Sequence, residues 1–335
     1  MRLHGYAPTR IDLAGGTLDI WPLYLFHPGA LTVNLAITRY AHCVLEPRRD
    51  SRVVLISRDS DEREEFRSLA VLKAAARHRL PLLAELVARF APRRGLTLTT
   101  WSEAPAGAGL GGSSAMAVAI CATLTRWLGP RIPKAEWIPV SRDIEAHVLG
   151  VPTGEQDHYP AVFGGLGAIH FEPGHTWREP LRINLKALES RLLIAYTGKP
   201  RSSGVTNWQV LRAYLDGIGR VRGNFRAIAA TAIAMRQALL RQEWGELARL
   251  LRQEWETRRR NSPGISTPFI DRLIRVGRRQ GAEAAKVCGA GGGGCVVFLS
   301  SPRRRAELAR ALAEAGATLL PFRIARRGVR VERMR

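Results

Sequence analysis

Cysteine is scarce in this chain, acidic residues are outnumbered, and there is neither a long apolar run nor a Walker-type phosphate loop. Cys43, Cys121, Cys288 and Cys295 have neither the spacing of a zinc centre nor the density of a disulfide framework. A reducing, cytoplasmic setting is therefore expected. The uncharged window 104–125 is broken by glycine, serine and proline, and Arg10 and Asp12 arrive too early for a secretory leader. Neither a membrane span nor a targeting segment is expected. No G-x-x-x-x-G-K-[ST] run occurs, which excludes a Walker-type NTPase. Repeats, low-complexity tracts and long linkers are also missing.

Asp and Glu number 29 against 51 Lys and Arg, a net charge of +22. Such a balance invites a nucleic-acid reading. The basic residues, however, are almost all arginine and spread along the chain. Short clusters at Arg258–Arg260 and Arg303–Arg305 read as solvated helix faces, and no helix-turn-helix, zinc-finger or RNA-binding aromatic motif accompanies them. Nucleic acid is not an expected partner, whereas attraction of an anionic small molecule fits the charge.

What is present is glycine in two telling places. PAGAGLGGSSA, Pro105 to Ala115, leads from a strand pattern at Leu96–Trp101 straight into an apolar helical stretch. Glycines let backbone N–H groups approach an anion, and the following helix offers its free N–H groups and positive end. A second run, Gly289 to Gly294 in KVCGAGGGGCVVF, could fold against the first. Both match G-x-G-x-x-G. The first lacks the later strand with an acidic ribose ligand, and the second enters a strand where a dinucleotide fold needs a helix, so a Rossmann oxidoreductase is a poor fit.

Length and a 46% hydrophobic content suit two domains. Strand patterns at Leu31–Ile37, His42–Glu46 and Arg52–Ser57 precede a helical stretch at Ser68–Phe90. Helix Ser141–Leu149, strand Leu166–Phe171 and strand Ser190–Thr197 follow, and helices dominate from Thr206 to Arg260. The remainder alternates helix 267–280, strand 284–288, glycine loop, strand 295–299, helix 302–315 and strand 318–324. That order predicts an α+β fold with a sheet layer in each half.

Four motifs in one order, APTRIDLAGGTLD (Ala7 to Asp19), PAGAGLGGSSA, GEQDHYPAVFGG (Gly154 to Gly165) and KVCGAGGGGCVVF, resemble those of the GHMP kinase superfamily. The resemblance spans nearly the whole chain. It implies an N-terminal domain over 1–185 with a left-handed-crossover-type sheet and a C-terminal ferredoxin-like α/β plait over 186–335. Within the superfamily, APTRIDLAGGTLDIWPLY, GLGGSSA and TGKPRSS are most similar to D-glycero-D-manno-heptose 7-phosphate kinases and fucokinase domains. One departure is Leu18, where a threonine usually precedes the aspartate; Thr17 stands one place earlier.

The implied activity is an ATP- and Mg²⁺-dependent kinase acting on the anomeric hydroxyl of a sugar or sugar phosphate, with heptose 7-phosphate to the 1,7-bisphosphate first. A fucokinase or galactokinase-like enzyme is the nearest alternative. A non-catalytic sugar sensor or nucleic-acid-binding paralogue is a different class, and a homodimer is compatible with the resemblance. Phosphoryl transfer is mostly positioning and charge stabilisation. By resemblance, Asp157 is the base and Arg10 its partner. Asp19 takes sugar hydroxyls, with Thr17, Gly15 and Gly16 beside it, and Arg201 is a candidate for a substrate phosphate. Pro105, Gly107, Gly109, Gly111, Gly112, Ser113 and Ser114 would cradle ATP, with Gly291 and Gly292 from the second run. Ser114 and Glu145 would hold Mg²⁺, for which a hydroxyl and a carboxylate are suitable hard ligands. His158 is read equally as a packing residue or a participant.

Overall fold

In the computed structural model, which describes residues 2–129, 132–199 and 203–334, the first motif lies on a strand of 13 residues. This strand, β1 (Arg2–Ala14), pairs antiparallel with β2 (Leu31–Pro47). The chain continues through β3 (Val53–Ser57), β4 (Glu62–Phe66), α1 (Leu69–Ala74), α2 (Pro81–Phe90), β5 (Leu96–Ser102), α3 (Gly112–Leu128) and α4 (Trp137–Leu149). Next come α5 (His158–Phe163), β6 (Leu166–Glu172) and β7 (His175–Pro180). These strands build a sheet of order β12-β1-β2-β5-β3-β4, with β6 and β7 alongside β2. Its last member, β12 (Arg330–Met334), pairs with β1 from the far end of the numbering. A cut at residue 185 therefore separates β12 from the sheet to which it belongs.

The second half contributes α6 (Leu185–Glu189), β8 (Leu192–Tyr196), α7 (Ser203–Leu215), α8 (Val221–Arg241), α9 (Trp244–Arg258) and α10 (Pro268–Arg279). After these come β9 (Ala282–Val287), β10 (Cys295–Ser300), α11 (Arg305–Glu314) and β11 (Thr318–Leu319). Its sheet, ordered β11-β8-β10-β9 with antiparallel neighbours throughout, is the expected plait. The molecule is α+β. Among the described residues no helix is long and apolar enough to cross a membrane.

Several segments differ from their sequence patterns for local reasons. Leu31–Ile37 and His42–Glu46 are one strand, because a bulge at Thr38 and Arg39 breaks the alternation: Pro8 faces Tyr40 while Thr9 faces Ile37. The stretch Ser68–Phe90 is two helices. Ser68 caps the first, and Pro81 opens the second while disfavouring helix at the residue before it. The strand expected at 318–324 shortens to Thr318–Leu319, with one further bridge from Ile324 to Ile37.

Helix α3 carries the first glycine loop and packs its alanine-rich face on β1 and β2. Small side chains permit a close approach, and Gly5 shows how close: a Cβ there would lie 1.9 Å from Thr123 Oγ1. The four cysteines are buried, and burial pushes the Cys43 and Cys121 thiols up to about 12. Gly5→Ala is expected to destabilise the protein by about 1–3 kcal/mol through overpacking of the β1–α3 interface. Denaturant unfolding checks this; a midpoint equal to wild type would show that α3 can retreat.

Candidate active site

A cavity of about 600 Å³ opens between the two sheets. One wall is the first glycine loop. Gly107, Gly109 and Gly111 adopt φ of 66°, 74° and 72°, a region that side chains rarely occupy, and Gly111 caps α3. Pro105, Gly107, Gly109, Gly111, Gly112, Ser113 and Ser114 all line the cavity, with the N-terminal end of α3 pointing into it.

Arg10 sits at the centre, 3% exposed. Its Nε and Nη2 donate to Asp157 Oδ1 at 2.8 and 2.6 Å, and its Nη1 donates to Gly109 O at 2.6 Å. The Arg10 backbone N–H also donates to Leu110 O at 2.8 Å. Burial disfavours the Arg10 charge, yet Asp157 and Asp12 more than compensate and raise its pKa. Asp157, at the start of α5, keeps its side chain 24% exposed to the cavity. No protein donor reaches its Oδ2 among the described residues. Gly111 stands so near that a Cβ would lie 3.2 Å from that oxygen.

On the other side, Asp19 is 5% exposed and accepts from Gln156 N at 3.1 Å and Gln156 Nε2 at 2.9 Å. Burial first, then the negative charge of Asp157, pushes its carboxyl up to about 7. Gly154 allows this approach, because a Cβ there would fall 1.7 Å from Asp19 Oδ2. Thr17 lines the cavity with Asp19. Gly15 and Gly16 do not: they form the turn behind it, against Leu31 O and the Arg258 guanidinium. Arg201 lies outside the described residues.

Ser114 Oγ donates to Glu145 Oε2 at 2.8 Å, and His158 Nε2 lies 3.4 Å from the same oxygen. Burial opposes ionisation of Glu145. The neighbouring His158, with the Ser113 and Ser114 hydroxyls, nevertheless holds its carboxyl below the ordinary value. His158 is fully buried and packs beneath the carboxylate. Ser114 and Glu145 both border the cavity, so an ionised carboxylate and a hydroxyl face it beside the glycine loop.

The second glycine run does fold against the first. Cys295 N donates to Ala108 O at 2.8 Å, and a Cβ on Gly294 would lie 2.6 Å from that carbonyl. Gly289 and Ala290 reach the cavity. Gly291 and Gly292 do not line it; Gly292 N donates to Ile265 O at 2.9 Å, and a Cβ on Gly291 would lie 2.6 Å from the same carbonyl.

The chain matches the model of the GHMP kinases N terminal domain over residues 70–165 and that of GHMP kinases C terminal over residues 235–318. A mevalonate kinase of Thermococcus gammatolerans is 30% identical over 71% of this chain and 70% of its own length. The chain belongs to the GHMP kinases. A D-glycero-alpha-D-manno-heptose 7-phosphate kinase of Campylobacter jejuni is 29% identical over 330 residues, 96% of each chain. The crystal structure of a D-glycero-D-manno-heptose 1-phosphate kinase from Bacteroides thetaiotaomicron superposes with a TM-score of 0.81 at 26% identity, over 99% of both chains.

This GHMP kinase also holds charged residues that the motif reading passed over. Asp12 accepts from Lys286 Nζ through Oδ2 and from Gly289 N through Oδ1, at 2.5 and 2.9 Å. Burial works against its charge, but Lys286, Arg10 and Arg258 hold its carboxyl well below the usual range. Lys286 and Glu254 are fully buried, and Arg258 is 4% exposed. Arg258 is thus no solvated helix residue. Asp12 and Lys286 carried a signal, since each is a charge flanked by apolar residues in its strand, Ile11 and Leu13 or Ala285 and Val287; Arg258, inside an arginine run, carried none.

Gly154→Ala is expected to displace Asp19 and weaken acceptor binding while leaving nucleotide affinity intact, as paired titrations would show. The raised Asp19 pKa has a stability consequence. Its contribution is complete below about pH 3.8 and is lost as pH rises through about 7. The melting temperature of Asp19→Asn relative to wild type should therefore climb across that window. A pH-independent difference would contradict the shift.

Proposed function

We propose that this GHMP kinase transfers the γ-phosphoryl group of ATP to the anomeric hydroxyl of a sugar or sugar phosphate, with D-glycero-D-manno-heptose 7-phosphate as the first candidate. One observation carries the reading: the Arg10–Asp157 couple, Asp19 and the glycine loop line one cavity, with Arg10 bonded to both Asp157 and the loop. The Campylobacter and Bacteroides relatives, both named as heptose phosphate kinases, support the sugar.

The residues divide the work. Backbone N–H groups of the glycine loop and the end of α3 receive the nucleotide phosphates. Ser114 and Glu145 fit Mg²⁺ by their hard oxygen donors, and the ion, when bound, supplies charge neutralisation on those phosphates. Asp19 accepts hydrogen bonds from acceptor hydroxyls and so fixes which oxygen approaches. Arg10 locks Asp157 Oδ1, leaving Oδ2 to receive the proton as the acceptor oxygen bonds to phosphorus. The bond from phosphorus to the leaving ADP oxygen breaks in the same displacement, and the Arg10 charge lies close enough to steady the transferring group. Four buried cysteines suit a reducing cytoplasm.

Incubation with ATP, Mg²⁺ and a panel of heptose 7-phosphate, fucose and galactose tests the reading through acceptor-dependent ADP release. Asp157→Asn is expected to lower turnover by about 10²–10⁴-fold with nucleotide affinity retained. Undiminished turnover in that variant would remove Asp157 as the base.

A further inference from the structure

Arg258 ends α9 with its whole guanidinium engaged. Nε and Nη2 donate to Glu254 Oε1 at 3.3 and 3.1 Å, and Nη2 also donates to Gly16 O at 2.6 Å. Nη1 donates to Thr17 Oγ1 at 3.3 Å and to Gly289 O at 3.4 Å. Glu254 lies 4.0 Å from Lys286 Nζ, which reaches Asp12. Two positive and two negative charges thus close a neutral buried cluster, the form in which burial of ions is tolerated. Within that cluster Arg258 is the member that borders the cavity.

Its contacts bracket a strained residue. Thr17 has φ of 74°, a conformation that a β-branched side chain adopts only when its surroundings impose it. The turn is closed by Leu18 N to Gly15 O and Ile20 N to Thr17 O, each 3.2 Å. Arg258 holds the carbonyl before Thr17 and the hydroxyl on it, and Asp19 follows two residues later. The charges facing Asp19 are Asp157 and Glu155, which oppose its ionisation, and Arg258, whose own pKa is raised, burial opposing but Glu254, Asp12 and Asp19 prevailing.

We propose that Arg258 is a positioning residue for the phosphoryl acceptor: by fixing the Gly16–Thr17 turn it sets where Asp19 meets the substrate, without serving the nucleotide. This rests on the kinase reading above. It also gives the second glycine run a task at the acceptor side, because the Gly289 carbonyl is tied to the same guanidinium.

The test compares wild type, Arg258→Met and Arg258→Lys in the full chain. It uses the sugar or sugar phosphate that wild type phosphorylates, with a fluorescent ATP analogue to read nucleotide affinity. Arg258→Met is expected to raise the acceptor KM about 10- to 100-fold, as misplacement of a binding group does, with the analogue Kd unchanged. The acid limb of kcat/KM for the acceptor should move to higher pH in Arg258→Met and stay in place in Arg258→Lys, which keeps the charge. An unchanged acceptor KM, or a parallel loss of nucleotide affinity, overturns the inference. If Arg258→Met does not fold, Arg258→Lys decides: it offers fewer donors, so an unchanged acceptor KM there is equally fatal. Wild type that releases no ADP with any acceptor sinks the kinase reading itself, and this inference with it.

Discussion

Arg10 is a buried charge whose every contact belongs to a different part of the chain. It leaves the middle of the first sheet, grips the aspartate at the head of α5 and holds the carbonyl of the glycine loop. Removing either partner would strand an ion in a low-dielectric interior, at a cost of about 3–5 kcal/mol. The left-handed glycines and the shortness of α5 make sense from this one contact. Both allow backbone and carboxylate to come within reach of a buried guanidinium.

The two glycine runs complement each other. The first presents N–H groups to the cavity, and the second lies behind it as a backbone-to-backbone seam, Cys295 N to Ala108 O and Thr197 N to Gly294 O. Glycine in the second run therefore answers mainly to close packing between the halves. The buried cluster of Asp12, Lys286, Glu254 and Arg258 spans the same seam, so one side of the cavity is braced by ions and the other by main chain.

Much of this arrangement was legible in the residues. Motif order brought out Arg10, Asp19, Ser114, Glu145 and Asp157, which the structure places around one cavity. Periodicity brought out most helices and the plait strands. Elsewhere the physics is non-local. Strand β1 hides within a motif because its residues are buried along most of its length and do not alternate, and the β2 bulge disguises one strand as two. The packing of Gly291 and Gly292 against Ile265 has no sequence signal, since glycine suits a phosphate cradle and a close backbone contact equally. Arg258 is indistinguishable in the sequence from its exposed neighbours, since burial depends on Glu254 and on a turn 242 positions away.

Such separations govern how the site comes into being. Arg10 meets Asp157 across 147 positions, Gln156 meets Asp19 across 137, and Lys286 meets Asp12 across 274. Closing loops of this size is entropically costly, and chains dominated by distant pairings fold slowly. The cavity also needs both halves in place, because one core cluster joins Ile11, Leu13 and Ala108 to Leu192, Ile194 and Val297. Catalytic competence is then tied to the whole fold and not to either sheet alone.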